Sequence, residues 1–85
     1  MASSVQLCYY AGARAAAGVS EERIELPEPV TIATVLDAVV ARRGPALHRV
    51  LAVCSFLLDG TAVHDRDAAV PNGAQLDVLP PFAGG

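Results

Sequence analysis

One amphipathic helix set among strands constrains this chain more than any other feature. Ile32, Val35, Leu36, Val39 and Val40 fall at i, i+3, i+4, i+7 and i+8, a single apolar stripe on a helical period. Thr31 stands where an N-cap is needed. Arg42 and Arg43 occupy the last turn, where the helix dipole favours cations, and Gly44 supplies the stop. Pro45 opens a shorter helical piece with Leu47, Val50 and Leu51 on one side. A stripe of this kind is core, not a ligand box. The remaining regular segments read mostly as strand, so the long helix must cover one face of one sheet.

The strands are legible from alternation. Val5–Tyr10 places Val5, Leu7 and Tyr9 on one face and Gln6, Cys8 and Tyr10 on the other. Gly12 breaks that run, Ala13–Ala17 suits one or two helical turns, and Gly18 ends them. Glu22–Leu26 sets Ile24 and Leu26 inward with Arg23 and Glu25 outward, and Pro27 and Pro29 terminate it. These two strands suit an antiparallel hairpin with a wide connection. Ala52–Leu58 is almost wholly apolar and reads as a strand buried centrally or covered on both sides. Asp59-Gly60 predicts a tight hairpin, Thr61–His64 its return strand, and Pro71-Asn72-Gly73 a turn into the last strand, Gln75–Leu79. In that strand Leu76 and Val78 face the core, so Leu79 falls on the wet face with Gln75 and Asp77. An apolar residue there suggests a docking patch.

The order is strand, strand, helix, strand, short strand, strand. The first and last strands fit best as parallel neighbours at the centre, joined by a right-handed crossover. The expected fold is therefore α+β, a β-grasp (ubiquitin-like) domain over residues 1–79. It has a mixed four- to five-stranded sheet with one main helix packed on one face. Residues 80–85 form a flexible tail.

With 85 residues and a 53% hydrophobic fraction, the chain can build one core and is not a disordered segment. No apolar run is long enough to span a bilayer, and the N-terminus lacks a secretory pattern, which predicts a cytoplasmic protein without a membrane partner. A net charge of −3 argues against nucleic acid and for a basic protein partner. All six cations are arginine, so the chain offers no lysine on which a modifier could build chains of itself. Cys8 and Cys54 lack metal-ligand spacing and read as buried, reduced thiols in strands, able to pair only if those strands are neighbours. His48 and His64 read as solvated, and no metal site is expected.

The sequence ends Leu79-Pro80-Pro81-Phe82-Ala83-Gly84-Gly85. Pro80 and Pro81 lack N–H donors, so the ladder must stop and the chain must leave the sheet. From Pro80 onward the arm can extend about 20 Å. Gly84 and Gly85 can enter a channel too narrow for any side chain, and Gly85 presents an unshielded carboxylate.

Tyr9-Tyr10-Ala11-Gly12-Ala13-Arg14 with Gly18, the capped helix and this ending together resemble the small sulfur-carrier subunits of molybdopterin synthases. The likeness extends over nearly the whole chain. Two bulky apolar residues, a proline pair, one apolar residue, one variable residue and Gly-Gly make up the family's ending. The chain departs from the family in having Ala15 where a glutamate is usual, and in the segment before Asp59-Gly60.

The resemblance implies a carrier with no bound cofactor and no nucleophile–base pair of its own. A ubiquitin-activating-like adenylyltransferase would use ATP to adenylate Gly85, and sulfur transfer would make a thiocarboxylate there. The large subunit of the synthase, in a heterotetramer, would use two such sulfurs to build the molybdopterin dithiolene. Gly84 would be the slender approach, and Pro80, Pro81, Phe82 and Ala83 would guide the arm. Tyr10, Leu79 and Phe82 would form an apolar anchor, with Arg14 pairing a partner carboxylate or carbonyl. Two other readings share the ending: a thiocarboxylate carrier for thiamine or cysteine synthesis, and a ubiquitin-like protein modifier.

Overall fold

Alternation along the first strand decides which side of the sheet becomes core. In the computed structural model, which describes residues 1–81, β1 (Ala2–Tyr9) buries Ser3, Val5, Leu7 and Tyr9 and leaves Ser4, Gln6 and Cys8 half-buried on the other face. A helix α1 (Ala11–Ala17) leads to β2 (Glu21–Pro27), then α2 (Ile32–Arg43), α3 (Pro45–Leu51), β3 (Ser55–Leu58), β4 (Thr61–Val63) and β5 (Ala74–Leu79). The sheet order is β2-β1-β5-β3-β4. β1 and β5 run parallel in the middle, from Val5 opposite Ala74 to Tyr9 opposite Val78, as the crossover argument requires. β1–β2, β3–β5 and β3–β4 are antiparallel.

The core lies between the helices and one face of this sheet. Ile32, Val35, Leu36 and Val39 of α2 are buried in one cluster with Leu47 and Leu51 of α3. Val5, Leu7, Tyr9, Ile24, Phe56, Leu76 and Val78 supply the sheet side of that cluster. Each fully buried Val, Leu or Ile contributes roughly 1.5–3 kcal/mol. Among the described residues the opposite face of the sheet carries no helix.

Thr31 caps α2 reciprocally. Its Oγ1 accepts from the Thr34 N–H at 3.2 Å, and Thr34 Oγ1 accepts from the Thr31 N–H at 2.9 Å. The first turn is closed further by the loop before β5: the Ile32 N–H donates to the Ala68 carbonyl and the Ala33 N–H to the Arg66 carbonyl. With these donors occupied, the start of α2 is not an open anion site. Thr31→Ala should destabilise the fold by about 1 kcal/mol. Urea denaturation midpoints of the two proteins would read the difference directly.

Some boundaries move. β1 starts at Ala2 and ends at Tyr9, so Tyr10 is the N-cap residue of α1, not a strand residue. The turn there is made by Ala11, at φ 49°, while Gly12 lies inside the helix; glycine is not what breaks the strand. The segment expected as one long strand from Ala52 divides. The N–H groups of Ala52, Val53 and Cys54 bond back to His48, Val50 and Leu51, so the chain stays turned until Ser55. The strand that follows is covered on one side only: Phe56 is buried, but on the other face Ser55 is exposed and Leu57 half-buried. Cys54 therefore sits in a turn, with its thiol donating to the Val50 carbonyl at 3.1 Å. Both cysteines are free, as expected; Cys8 lies in a strand but is half-buried, and Cys54 is neither in a strand nor fully buried. The Asp59-Gly60 hairpin forms as expected, with positive φ at both residues.

Candidate functional site

The helix-free face of the sheet is the surface next to the tail, and the strand registers define its rows. Tyr9 lies opposite Val78, so the next residues, Tyr10 and Leu79, come side by side on the open face, with Ser55 opposite Leu79 on β3. The Tyr10 N–H donates to the Val78 carbonyl at 3.2 Å, which holds this end of β1 against β5. Tyr10 is 44% exposed and Leu79 is half-buried. β1 and β5 are neighbours, which is the condition for Tyr10 and Leu79 to share the open face where the chain leaves the sheet. Pro80 is half-buried and Pro81 exposed. Phe82, Ala83, Gly84 and Gly85, to which the resemblance assigns the chemistry, lie outside the described residues.

The next row runs Glu21, Cys8, Asp77, Leu57 and Ala62 across all five strands. Burial raises the Cys8 thiol pKa, and the carboxylates of Asp77 and Glu21 raise it further. The Tyr10 phenol is raised too, first by Asp77. This part of the face is electrically negative. Neither thiol is activated as a nucleophile; burial also raises Cys54.

Arg14 sits on the exposed side of α1, where it meets the end of the helix and the Gly18 turn. Among the described residues the ion pairs are Arg42–Glu22 and Arg43–Glu22, so Arg14 is not tied to a neighbour there. His48 and His64 are exposed, as the sequence reading expected. No group of three His, Cys, Asp or Glu side chains among the described residues could hold a metal ion.

Alternation overlooked Glu22. It shares the inward face of β2 with Ile24, and its side chain is only 6% exposed. The Tyr9 hydroxyl donates to Oε2 at 2.6 Å, Arg43 donates through Nε and Nη2, and Arg42 Nη1 reaches Oε1 at 2.9 Å. The signal was available: a carboxylate two residues before an inward Ile24 must be buried with a partner or break the strand.

Residues 7–85, from β1 through the Gly-Gly ending, match the ThiS family. The chain belongs to the ThiS family. A curated relative from Chlamydomonas reinhardtii, named as a molybdopterin synthase sulfur carrier subunit, is 32% identical over 82 residues, which is 95% of this chain and 98% of that protein. Among solved structures, the small archaeal modifier protein 1 of Haloferax volcanii superposes with a TM-score of 0.82 at 25% identity, covering 94% of this chain and 99% of its own. One chain from the complex of subunits 1 and 2 of the molybdopterin-converting factor of Helicobacter pylori matches with a TM-score of 0.63 at 20% identity over 96% of this chain and 99% of that one, a likeness of fold. The five-stranded mixed sheet with its covering helices is thus the β-grasp of ThiS-family and ubiquitin-like proteins. Among the described residues no helix is long and apolar enough to cross a membrane.

Proposed function

We propose that this ThiS-family chain is a sulfur carrier for the molybdopterin dithiolene, the small subunit of a molybdopterin synthase. The observation that carries the reading is the likeness to a curated sulfur carrier along 95% of the chain. Its Gly84-Gly85 ending is joined to the last strand, which ends at Leu79, through Pro80, Pro81, Phe82 and Ala83.

The chemistry follows from the terminal group. A carboxylate is a poor acyl donor, so an adenylyltransferase first joins the Gly85 carboxylate to the α-phosphate of ATP and releases pyrophosphate. A sulfur nucleophile then attacks the acyl carbon and AMP leaves, which makes the thiocarboxylate. The large subunit takes the sulfur, and water returns the carboxylate. The carrier contributes positioning. Pro80 and Pro81 restrict the arm before it is threaded, which lowers the entropy lost on insertion. Phe82 and Ala83 guide it, Gly84 passes the narrow approach, and Tyr10 with Leu79 anchors the domain. Arg14 pairs with a carboxylate or carbonyl of the partner. The protein works in the cytoplasm and holds no cofactor of its own; ATP belongs to the activating enzyme.

The test is the intact mass of the carrier after incubation with a ubiquitin-activating-like adenylyltransferase, ATP and sulfide. The expected product has gained the mass of one sulfur in place of one oxygen, and deletion of Gly85 should prevent it. Molybdopterin formation with the large subunit separates this pathway from a carrier for thiamine or cysteine synthesis. No mass change would defeat the carrier reading.

The likeness to a small archaeal modifier protein favours a second reading, in which Gly85 is joined to lysines of other proteins. The last arginine is Arg66, so trypsin would leave residues 67–85 on an acceptor lysine rather than a bare Gly-Gly remnant. A search for that longer remnant decides the question.

A further inference from the structure

The outer edge of β2 is an unpaired strand with an ordered run of charges. β2 closes one side of the sheet, and among the described residues only β1 pairs with it. The Tyr9 N–H donates to the Ser20 carbonyl at 2.8 Å, and the Glu28 N–H to the Met1 carbonyl at 3.0 Å. Those two bonds set the phase of the ladder. Glu22, Ile24 and Leu26 turn their main-chain groups toward β1, while Glu21, Arg23 and Glu25 turn theirs outward. Arg23 and Glu25 are exposed, and among the described residues neither has an ion-pair partner. A cleft lined by Arg23, Ile24, Glu25, Leu26, Ala38 and Arg42 lies between this edge and α2. Leu26 and Ala38 pack against the core there, so the floor of the cleft is apolar. An open edge with such a floor is a template for another strand.

We propose that a second copy of this chain pairs with this edge, β2 against β2, antiparallel about a two-fold axis at Ile24. The charges choose the register. Main-chain groups that point outward must meet others that point outward, so the registers differ by where the axis falls along β2. An axis at Arg23 sets Arg23 against Arg23 and Glu21 against Glu25. An axis at Glu25 sets Glu25 against Glu25, and one at Glu22 leaves Glu25 opposite Val19, outside the strand. Like charges directly opposite destabilise a sheet. With the axis at Ile24, Arg23 of each copy faces Glu25 of the other, and each such pair exchanges both main-chain bonds. Glu21 then donates its N–H to the Pro27 carbonyl of the other copy, at the one position where no return bond is possible. The contact is isologous, so it closes as a dimer instead of growing into a filament. β1 separates β2 from β5, so the tail of each copy stays open, and the two arms leave at opposite ends of the joined sheet. This pairing does not depend on the carrier reading.

The experiment is sedimentation equilibrium of the full chain over a wide concentration range, with a reductant present so that Cys8 and Cys54 cannot link copies. The proteins are wild type, Arg23→Glu, Glu25→Arg and the double variant with the charges exchanged. Wild type should show a reversible monomer–dimer equilibrium. Each single exchange turns both symmetric pairs from attractive to repulsive and should weaken the dimer by about tenfold. The double variant restores both pairs and should recover association to within about threefold of wild type, which a merely misfolded variant would not do. Amide exchange at Glu21, Arg23 and Glu25 should slow as the wild-type concentration rises and stay fast in the single variants. A monomer at every concentration would overturn the proposal. So would association that both single variants leave unchanged, since the copies would then meet on another surface. A double variant as weak as the single ones would overturn the register. Protection of these amides that arises only when another protein is added would overturn the second copy as occupant.

Discussion

Adding one residue after Gly85 should abolish sulfur transfer and leave the domain folded. The added residue moves the reacting carbonyl by about 3.5 Å, and misplacements of about 1 Å already cost on the order of a hundredfold where geometry controls rate. The Gly85 carboxylate is also converted to an amide, which cannot be adenylated. Thiocarboxylate yield, read by intact mass, should fall by more than about a hundredfold. The melting temperature should not change, because the described strands end at Leu79. An extended protein that still delivered sulfur would remove the terminal carboxylate from the mechanism.

Glu22→Ala should have the largest effect on stability among the polar substitutions, about 3 kcal/mol. The variant strands the buried Tyr9 hydroxyl and leaves Arg43 without its carboxylate. Arg42, whose side chain is 54% exposed, is rescued by water and adds little. The same site predicts a pH dependence. Burial opposes ionisation of Glu22, but hydrogen bonds from Arg43, Tyr9 and Arg42 outweigh it and hold the folded pKa below the ordinary carboxylate value. Stabilisation by a depressed carboxylate is fully present above its unfolded pKa, about 4.3 for glutamate. It is lost as the pH falls through the lower folded value. Urea midpoints followed from neutral to acid pH should therefore drop less steeply for Glu22→Gln than for wild type. Parallel acid limbs would show that Glu22 does not carry the linkage.

The helix stripe and the strand alternation were legible because each is repeated: five apolar positions on α2, and an unbroken alternation from Val5 to Tyr9. The parallel pairing of β1 with β5 followed from the count of elements and the handedness of crossovers. What local pattern could not carry was decided by tertiary contact. Ala52-Val53-Cys54 has the composition of a strand, yet its N–H groups find the end of α3 first, and the turn wins over propensity. Ala11 adopts a positive φ that the neighbouring Gly12 seemed better placed to supply. At the site, Leu79 was legible as an apolar residue on a wet face, and Tyr10 as its neighbour once the strands were placed side by side. Glu22 was legible only as an inward carboxylate in need of a partner; which groups supply it was not, because that depends on the elements that flank it. Arg43, at the end of a helix, and Tyr9, on another strand, give no local sign that they share one acid.

The central parallel pair also governs how the molecule comes into being. β1 is near the start of the chain and β5 near its end, yet they are neighbours, and β5 is the strand that joins the β2–β1 and β3–β4 halves. During synthesis those halves have no common ladder until the final strand has left the ribosome. Closing so long a loop is entropically slow, and such sheets form late in folding. Damage to β5 consequently empties the middle of the sheet instead of trimming its edge. A stop before Ala74 removes the whole of β5, and with it both ladders that hold β1 to β3, along with the tail's anchor.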